Sequence, residues 1–215
     1  MRAKAILLTL STLFCALLSS CSHTMHDNTS AFYDDGRKKP AVALVPVVNS
    51  SGAQVGWDLS EEFTALLMQK LGKNSQFRLA SQESIATLTT SFSELNDPFS
   101  SNIEWIKNAF AGYEFVVFSE LVDHDVRLKP LKGNFLDLVT PSSEVAMTLR
   151  LRIFDLRADS PKVILQEMIN SKNTIAKTGD LSLKRPDHWK KLTFQITPLG
   201  IAHSLLVKNA TGRIE

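Results

Sequence analysis

Residues 41–71 read AVALVPVVNSSGAQVGWDLSEEFTALLMQKL, a short apolar run followed by a helical pattern. The first nine residues are rich in β-branched side chains and end at a turn signal, which is typical of a buried strand. Pro46 interrupts this run, so we expect an edge position or a bulge there. Asp58 offers a cap acceptor with Glu61 three residues later, which predicts the start of a helix that Gly72 ends with a left-handed cap. The apolar side chains of this helix share one face: Leu59, Phe63, Leu66, Leu67 and Leu71.

Another strand and two helices are predicted after this segment. Residues 77–80 predict a short strand, and Ser81 predicts the cap of a helix. Residues 101–104 (SNIE) form a capping box that starts the next helix, which Gly112 ends. The inward-facing positions are Ile85 and Leu88 in the first helix, and Ile103, Ile106 and Phe110 in the second.

Three strand patterns and a last helix complete the domain. Residues 113–122 are apolar through their middle, which indicates a central strand. Residues 144–155 alternate, and residues 163–170 return as their hairpin partner. Thr197 and Pro198 indicate the start of the last helix. In residues 144–155 the core-facing side chains are Val145, Met147, Leu149, Leu151 and Ile153, and the water-facing ones are Glu144, Ala146, Thr148, Arg150 and Arg152. The sequence therefore predicts an α/β domain, a mixed β-sheet with packed helices in the order β-α-β-α-α-β-β-β-α.

The N-terminal residues predict export and lipid attachment. A short basic segment precedes residues 5–18, a charge-free run too short for a bilayer, which needs about 20 apolar residues. The run ends in Leu18-Ser19-Ser20-Cys21, which resembles the lipobox of bacterial lipoproteins. In that family the cysteine thiol is diacylated, the peptide is cut before it, and acyl chains such as palmitate anchor the protein. Cys15 is a poor alternative, because bulky residues precede it.

This resemblance divides the chain into three parts. Residues 1–20 are a signal peptide, residues 21–39 are the lipidated cysteine and a flexible polar tether, and residues 40–215 are one globular domain. The resemblance implies a protein attached to the membrane of a bacterial cell envelope and facing the periplasm. Ser22 follows the cysteine and favours the outer membrane over the inner one, because Asp at that position is an inner-membrane retention signal in one sorting scheme.

Composition excludes several functions. The chain has 24 Lys and Arg against 22 Asp and Glu, a net charge of +2 that gives no electrostatic case for nucleic-acid binding. Two cysteines cannot form a four-thiolate zinc site or a disulfide scaffold. Because the sequence also has no nucleophile-elbow, zinc-protease or phosphate-loop motif, we expect no enzyme activity, no cofactor and no metal.

Two groups of polar residues remain as candidate sites. Asp123, His124 and Asp125 form the densest ionisable triplet, for which a solvated strand end is expected over a metal or base role, with the histidine pointing away from both aspartates. His203 lies inside the last helix and is expected to be packed or hydrogen-bonded. Residues 171–191 carry a net charge of +4, which is either a solvated loop or a contact for an anionic partner. The candidate contacts are Lys184, Arg185, Trp189 and Lys190.

Three segments carry a resemblance of the whole domain to known families. They are residues 42–49 with the helix that follows, residues 111–121, and residues 149–155 with the hairpin return. They resemble the α/β fold shared by the N-terminal domain of TolB and the envelope lipoproteins of the LpoB and CsgG type. The chain is also similar to uncharacterised small lipoproteins of obligate intracellular bacteria. It departs from the pattern at Glu114, where the acidic residue follows the tyrosine, and in the hairpin turn at residues 157–161.

The predicted function follows from the lipobox, the tether and this resemblance. They imply a lipid-anchored envelope protein that binds a partner protein or assists an assembly without catalysing a reaction. The alternative is a small-ligand or lipid-binding module auxiliary to a transporter, which a deep apolar pocket would favour and a filled core would disfavour.

Overall fold

The structure, a computed structural model, describes residues 31–89, 96–128, 142–176 and 198–215. The strands in these ranges are β1 (Ala41–Leu44), β2 (Val48–Asn49), β3 (Arg78–Leu79), β4 (Phe115–Leu128), β5 (Ser142–Asp155) and β6 (Lys162–Ala176). The helices are α1 (Leu59–Leu71), α2 (Gln82–Thr89), α3 (Glu104–Ala109) and α4 (Pro198–Ile214). The predicted mixed α/β fold is confirmed, with the first predicted strand divided into β1 and β2.

The strands of the described ranges form one mixed sheet in the order β3-β1-β4-β5-β6, with β2 beside β4. The β1 strand pairs in parallel with β3 and β4, whereas β4, β5 and β6 pair antiparallel as two long hairpins. Crossovers that contain helices connect the parallel strands, because a parallel pair cannot be joined by a tight turn. The β6 strand therefore lies at one edge of the sheet.

Helices cover the sheet on both faces and create two apolar cores. The α1 and α4 helices lie on the first face, where Phe63, Leu67, Leu121, Leu149 and Leu206 pack together. The α2 and α3 helices lie on the second face, where Ile85, Ile106, Phe110, Phe118 and Phe154 pack together. The alternation predicted for β5 is confirmed, because its five core-facing side chains are all buried under α1 and α4.

Pro46 divides the first predicted strand into β1, which has a described strand on each side, and β2, which pairs with β4 alone among the described strands. Val45 still donates its backbone N–H to the Val117 carbonyl at 3.0 Å, and Ser50 donates to the Leu121 carbonyl at 2.9 Å. Both halves therefore follow β4, and the proline, which has no N–H to donate, occupies the gap between them.

The helix termini follow the sequence signals only in part. Asp58 caps α1 by accepting the backbone N–H groups of Ser60 and Glu61, as predicted. The left-handed cap predicted at Gly72 is wrong, because its φ is −64°. The capping box predicted at residues 101–104 is also wrong, because α3 begins after Ile103 without a side-chain cap bond. Gly112 adopts φ +100°, a conformation that favours glycine, and ends the turn after α3.

The central strand β4 is longer than predicted and contains a bulge. It continues six residues past Val122 to Leu128, and its register with β5 shifts between Leu121 and Asp123. Val122 is the extra residue, since Leu121 pairs with Leu149 and Asp123 pairs with Thr148.

Arg152 is an exception to the predicted alternation of β5. It was expected to face water, but the residue is buried and its Nη1 donates to the carbonyls of Pro98 and Ser100, both at 2.7 Å. Burial lowers the pKa of this guanidinium. These hydrogen bonds hold the segment before α3 against the second face, so the arginine replaces an apolar contact there.

The C-terminal part of the predicted tether contacts the domain. Phe32 and Lys38 form an isolated antiparallel bridge around Gly36, whose φ is +81°. The Tyr33 hydroxyl donates to the Gln76 carbonyl, and Lys39 is buried. Residues 31–39 are therefore part of the folded structure.

Candidate functional site

Four polar side chains form a hydrogen-bonded network under the first face of the sheet. His203 on α4 is 0% exposed and His124 on β4 is 6% exposed. Their Nε2 atoms are 2.9 Å apart, and His203 Nδ1 lies 2.9 Å from Glu62 Oε1 on α1. Trp57 donates its Nε1–H to Glu62 Oε2 at 2.6 Å. We refer to Trp57, Glu62, His124 and His203 as the histidine network.

The chemistry of these groups fixes the direction of two of the three hydrogen bonds. An ionised carboxylate only accepts, so Glu62 accepts from Trp57 on one oxygen and from His203 Nδ1–H on the other. The third bond joins the two Nε2 atoms, and which ring donates depends on the tautomers of His124 and His203. Two hydrogen bonds, one from Trp57 and one from His203, therefore end on the same carboxylate.

The fold brings these residues together from distant parts of the chain. Glu62 lies in the first turn of α1, next to the buried Phe63, whose ring centroid is 5.0 Å from that of His203. His124 pairs with Met147 across the β4–β5 ladder, on the face that α1 and α4 cover. The network therefore connects α1, β4 and α4.

Burial and, after it, the proximity of His203 together lower the pKa of His124 from 6.5 to about 4. Glu62 and Asp123 act against this shift without cancelling it. His124 is consequently neutral at pH 7. Among the described residues no group of three His, Cys, Asp or Glu side chains could hold a metal ion.

The structure corrects one prediction about this network and confirms another. The triplet at residues 123–125 is not a solvated strand end, because β4 continues past it and His124 is buried. Its side chain does point away from the exposed Asp123, as predicted, and Asp125 forms an ion pair with Arg127. His203 is packed and hydrogen-bonded, as predicted. No sequence signal pointed to Glu62 or Trp57 as members of the network. The burial of His124 did have a signal, because the regular alternation of β5 from residue 145 indicates that its partner strand β4 extends as far as residue 126.

The clefts at the surface of the described residues include one between α1 and α2 and two near β3. One of about 600 Å³ lies between α1 and α2 and has a mostly apolar lining that includes Pro46, Ala65 and Met68. Two others measure about 480 and about 460 Å³ and lie around Tyr33 and beside Arg78. No member of the histidine network lines any of the three, so the network has no access to a ligand through them.

The outer part of β6 exposes apolar side chains. Ile164 is 53% exposed and Met168 is 52% exposed, and Val163 is also exposed beside them. No strand of the described ranges pairs with the outer edge of β6, which is 15 residues long. The edge therefore presents backbone N–H and C=O groups next to apolar side chains. We call Val163, Ile164, Met168 and this edge the β6 strip.

Most of the charged side chains around the β6 strip are paired. Lys172 lies 2.9 Å from Glu144, and Arg213 lies 3.4 Å from Glu167. Arg150 forms an ion pair with Glu120. The exposed Lys162 next to Val163 forms no ion pair with a described residue. The strip thus offers mainly apolar area and backbone hydrogen bonds, with one positive charge at its end.

The residues predicted from the sequence as functional lie outside the described ranges. They are the lipidation site Cys21 and the candidate partner contacts Lys184, Arg185, Trp189 and Lys190. In the described part of the chain, no helix combines the length and the apolar composition that a bilayer crossing needs.

The chain is similar to several solved bacterial structures. It matches the hypothetical protein CT253 from Chlamydia trachomatis with a TM-score of 0.60 and 22% identity, over 82% of this chain and 95% of that chain. This match shows a shared fold and confirms the predicted likeness to a protein of an obligate intracellular bacterium. Lipoprotein GNA1162 from Neisseria meningitidis matches with a TM-score of 0.43 and 12% identity, over 81% of this chain and 97% of that one. The LpoB C-terminal domain from Salmonella enterica matches with a TM-score of 0.36 and 17% identity, over 66% and 87%.

Comparison of sequences gives a family for the chain. No curated protein matches it significantly. A family model described as a family of unknown function, DUF7499, matches residues 28–215, which is most of the chain. The chain therefore belongs to the DUF7499 family.

Proposed function

We propose that the protein is a lipid-anchored, non-enzymatic accessory protein of the bacterial cell envelope that binds a partner protein. The observation that carries the proposal is Leu18-Ser19-Ser20-Cys21 directly after a charge-free apolar run. Two or more acyl chains on Cys21 give stable membrane attachment, since each buried methylene contributes about 0.8 kcal/mol. The anchor faces the periplasm, and Ser22 favours the outer membrane.

The absence of an enzyme activity is part of this proposal. The most reactive arrangement in the described ranges is the histidine network, and its donors and acceptors are already used within the protein. A general base must reach a substrate proton, and His124 and His203 are both buried away from the clefts. This arrangement supports a structural role for the network.

The β6 strip is the surface that we expect the partner to contact. Because most of its charges are paired and its outer edge is open in the described residues, it suits an extended, largely uncharged segment of another protein. Such a segment would add a strand to β6 and cover Ile164 and Met168. We expect Lys184, Arg185, Trp189 and Lys190 to contribute further contacts.

Site-specific photo-crosslinking in living bacteria tests partner binding. A photoreactive amino acid replaces Met168 in the full-length chain, and a matched replacement of the exposed Gln69 on α1 serves as the control. We expect one discrete crosslinked protein from position 168 that is absent from position 69 and is lost with Cys21→Ala. Crosslinks that are equal at both positions would contradict the proposed surface, and recovery of the unchanged protein in the soluble fraction would contradict the anchor.

The alternative ligand-binding function has one observation in its favour. The cleft of about 600 Å³ between α1 and α2 has the volume of a small-molecule site and a mostly apolar lining. Asp58 and Glu61 on its rim would favour a cationic ligand. The apolar residues beneath the helices are packed in two cores, so an apolar ligand would bind in this surface cleft rather than inside either core. Met68→Trp would fill the cleft and abolish such binding while leaving the crosslink from position 168 unchanged.

A further inference from the structure

Another cleft, of about 460 Å³, opens beside the first residues of β1 and β3. It is lined by Arg78 on β3, by Ser81 and Ser84 at the start of α2, and by residues 111–113 before β4. Among these lining residues, Arg78 is the one with a formal charge.

The register of β3 directs Arg78 toward this cleft. Leu79 pairs with Val42 and packs into the core under α1 and α4. Arg78 pairs with Ala41, and successive strand residues point to opposite faces, so its side chain lies on the side of α2 and α3. Its backbone N–H donates to the Pro40 carbonyl at 2.9 Å, which fixes the residue in the sheet.

Arg78 differs from the other arginines in the described ranges. Those at positions 37, 127, 150, 157 and 213 form ion pairs with carboxylates, and Arg152 donates to two backbone carbonyls. Arg78 has no ion pair or side-chain hydrogen bond to another described residue, and its Nε is buried. The Nε of Arg152 is also buried without a partner, but that guanidinium is held by its two carbonyl bonds. A buried donor without an acceptor costs about 1–3 kcal/mol, so an acceptor in the cleft would recover this free energy.

The nearby groups favour the anion of a bound ligand, and not a carboxylate of the protein, as that acceptor. Glu114 accepts the Ala41 N–H at 2.6 Å and forms no ion pair with Arg78. Glu83 is exposed and does not line the cleft. The Ser81 and Ser84 hydroxyl oxygens lie 2.7 Å apart at the rim, where the N-terminus of α2 also favours negative charge. One of the two hydroxyls donates to the other, so a planar guanidinium and the remaining O–H group are available to the several acceptor oxygens of a phosphate group.

We propose that this cleft binds the phosphate group of a small ligand, with Arg78 as the anchor and one hydroxyl of the Ser81–Ser84 pair as an additional donor. The volume is sufficient for a ligand larger than phosphate itself. The group could belong to a soluble phosphate ester or to a lipid headgroup, and both present the same oxygens to Arg78. This site is independent of the proposed partner binding at β6.

Titration of the full-length chain in a neutral detergent tests the site with inorganic phosphate as the probe. The readout is the NMR signal of the Arg78 Nε–H, at constant ionic strength maintained with chloride. We expect a saturable shift of this signal. We also expect binding, followed through the backbone signals of residues 111–113, to weaken at least about tenfold in Arg78→Gln and to stay unchanged in the control Arg127→Gln, whose arginine is exposed and paired with Asp125.

A second titration identifies the source of the phosphate group. Short-chain phosphatidylglycerol below its micelle concentration replaces inorganic phosphate, and tighter binding of the lipid that depends on Arg78 would assign a headgroup. If Arg78→Gln does not fold, as judged by circular dichroism, Arg78→Lys retains the charge without the planar fork and should bind several-fold more weakly than the wild type. A shift that does not saturate with either probe, or equal binding in the wild type and the Arg78 variants, would overturn the proposal.

Discussion

Glu62 is the single residue on which the histidine network depends most. It accepts hydrogen bonds on both carboxylate oxygens, from an indole and from an imidazole that is fully buried. Any replacement that cannot accept twice leaves a buried donor without a partner, and that loss is larger than the net contribution of an ordinary hydrogen bond.

Replacing Glu62 with glutamine should destabilise the protein by about 1–3 kcal/mol, because the amide NH2 would face either Trp57 or His203, which are both donors. Urea unfolding followed by tryptophan fluorescence measures the change. Glu61→Gln is the matched control, since it removes the same charge from the same first turn of the helix, at an exposed position. Equal losses in the two variants would show that the helix dipole, and not the network, is responsible.

The low pKa of His124 predicts acid sensitivity. In the unfolded chain its pKa is near 6.5, whereas burial and His203 lower the folded value to about 4, so protonation favours unfolding. The contribution of this residue is fully present above pH 6.5 and decreases as the pH falls toward 4. At about 1.4 kcal/mol per pH unit, the total loss is about 3 kcal/mol.

His124→Gln tests this pH dependence, because the glutamine amide can still hydrogen-bond to His203 but cannot take up a proton. We expect a shallower decrease of the unfolding free energy between pH 6.5 and 4 than in the wild type, measured by urea unfolding at several pH values. Parallel pH profiles for the two proteins would rule out His124 as the titrating group.

The sequence could predict single residues only where the local pattern contains the reason for their environment. His203 lies one position from the buried apolar stripe of α4, so a packed role was predictable. His124 lies between two aspartates, and the reason for its burial is a helix 79 residues away. Arg152 is similar, because its acceptors Pro98 and Ser100 belong to another part of the chain.

At the scale of secondary structure, the β4–β5 ladder determines where the network can form. The core-facing residues of β5 alternate without interruption from Val145 to Ile153. The partner strand β4 has one residue more over the same length, and the bulge at Val122 absorbs it. His124 and Val126 then face the same core as Leu121.

Deleting Val122 should leave the fold intact, because Leu121 and Asp123 would then continue the ladder in regular register with Leu149 and Thr148. Deleting Thr148 from the opposite strand should instead turn Met147 and Val145 to the other face. Exposing each of these two side chains to water would lower the free energy of unfolding by about 2 kcal/mol. Thermal unfolding followed by circular dichroism compares the two deletions, and a Val122 deletion that unfolds as readily as the Thr148 deletion would contradict this register.

Strong local signals made the type and order of the elements predictable, while their ends depended on distant contacts. Asp58 caps α1 as its sequence indicates, because the acceptor and the N–H groups are neighbours in the chain. Gly72 permits a left-handed cap but does not require one, and it stays in the right-handed helical conformation. The β4 strand extends to Leu128 because β5 offers a partner along its whole length.

In the molecule as a whole, the sheet has a protected side and an open side. Helices cover both of its faces around the parallel strands, and α4 covers the first face of the long hairpins. The β6 edge and its exposed apolar side chains remain open within the described ranges. This asymmetry agrees with the proposal that the helix-covered part of the sheet stabilises the fold and the open β6 edge binds a partner protein.

The candidate surfaces could not be predicted from the sequence. Ile164 and Met168 have the composition of core residues, and only the strand order shows that β6 is at an edge. Arg78 resembles any surface arginine until the register of β3 places it beside α2. In contrast, the anchor prediction depends on contiguous residues that need no tertiary structure to be recognised.

Metabolic labelling with an alkyne fatty acid tests the proposed anchoring most directly. The full-length chain is expressed in bacteria as the wild type, as Cys21→Ala and as the matched control Cys15→Ala, and label in the purified chain is quantified against protein. We predict equal label in the wild type and in Cys15→Ala, with recovery in the membrane fraction. Cys21→Ala should have no label. Label that persists in Cys21→Ala, or a wild-type chain that is unlabelled and soluble, would contradict a lipid-anchored envelope protein.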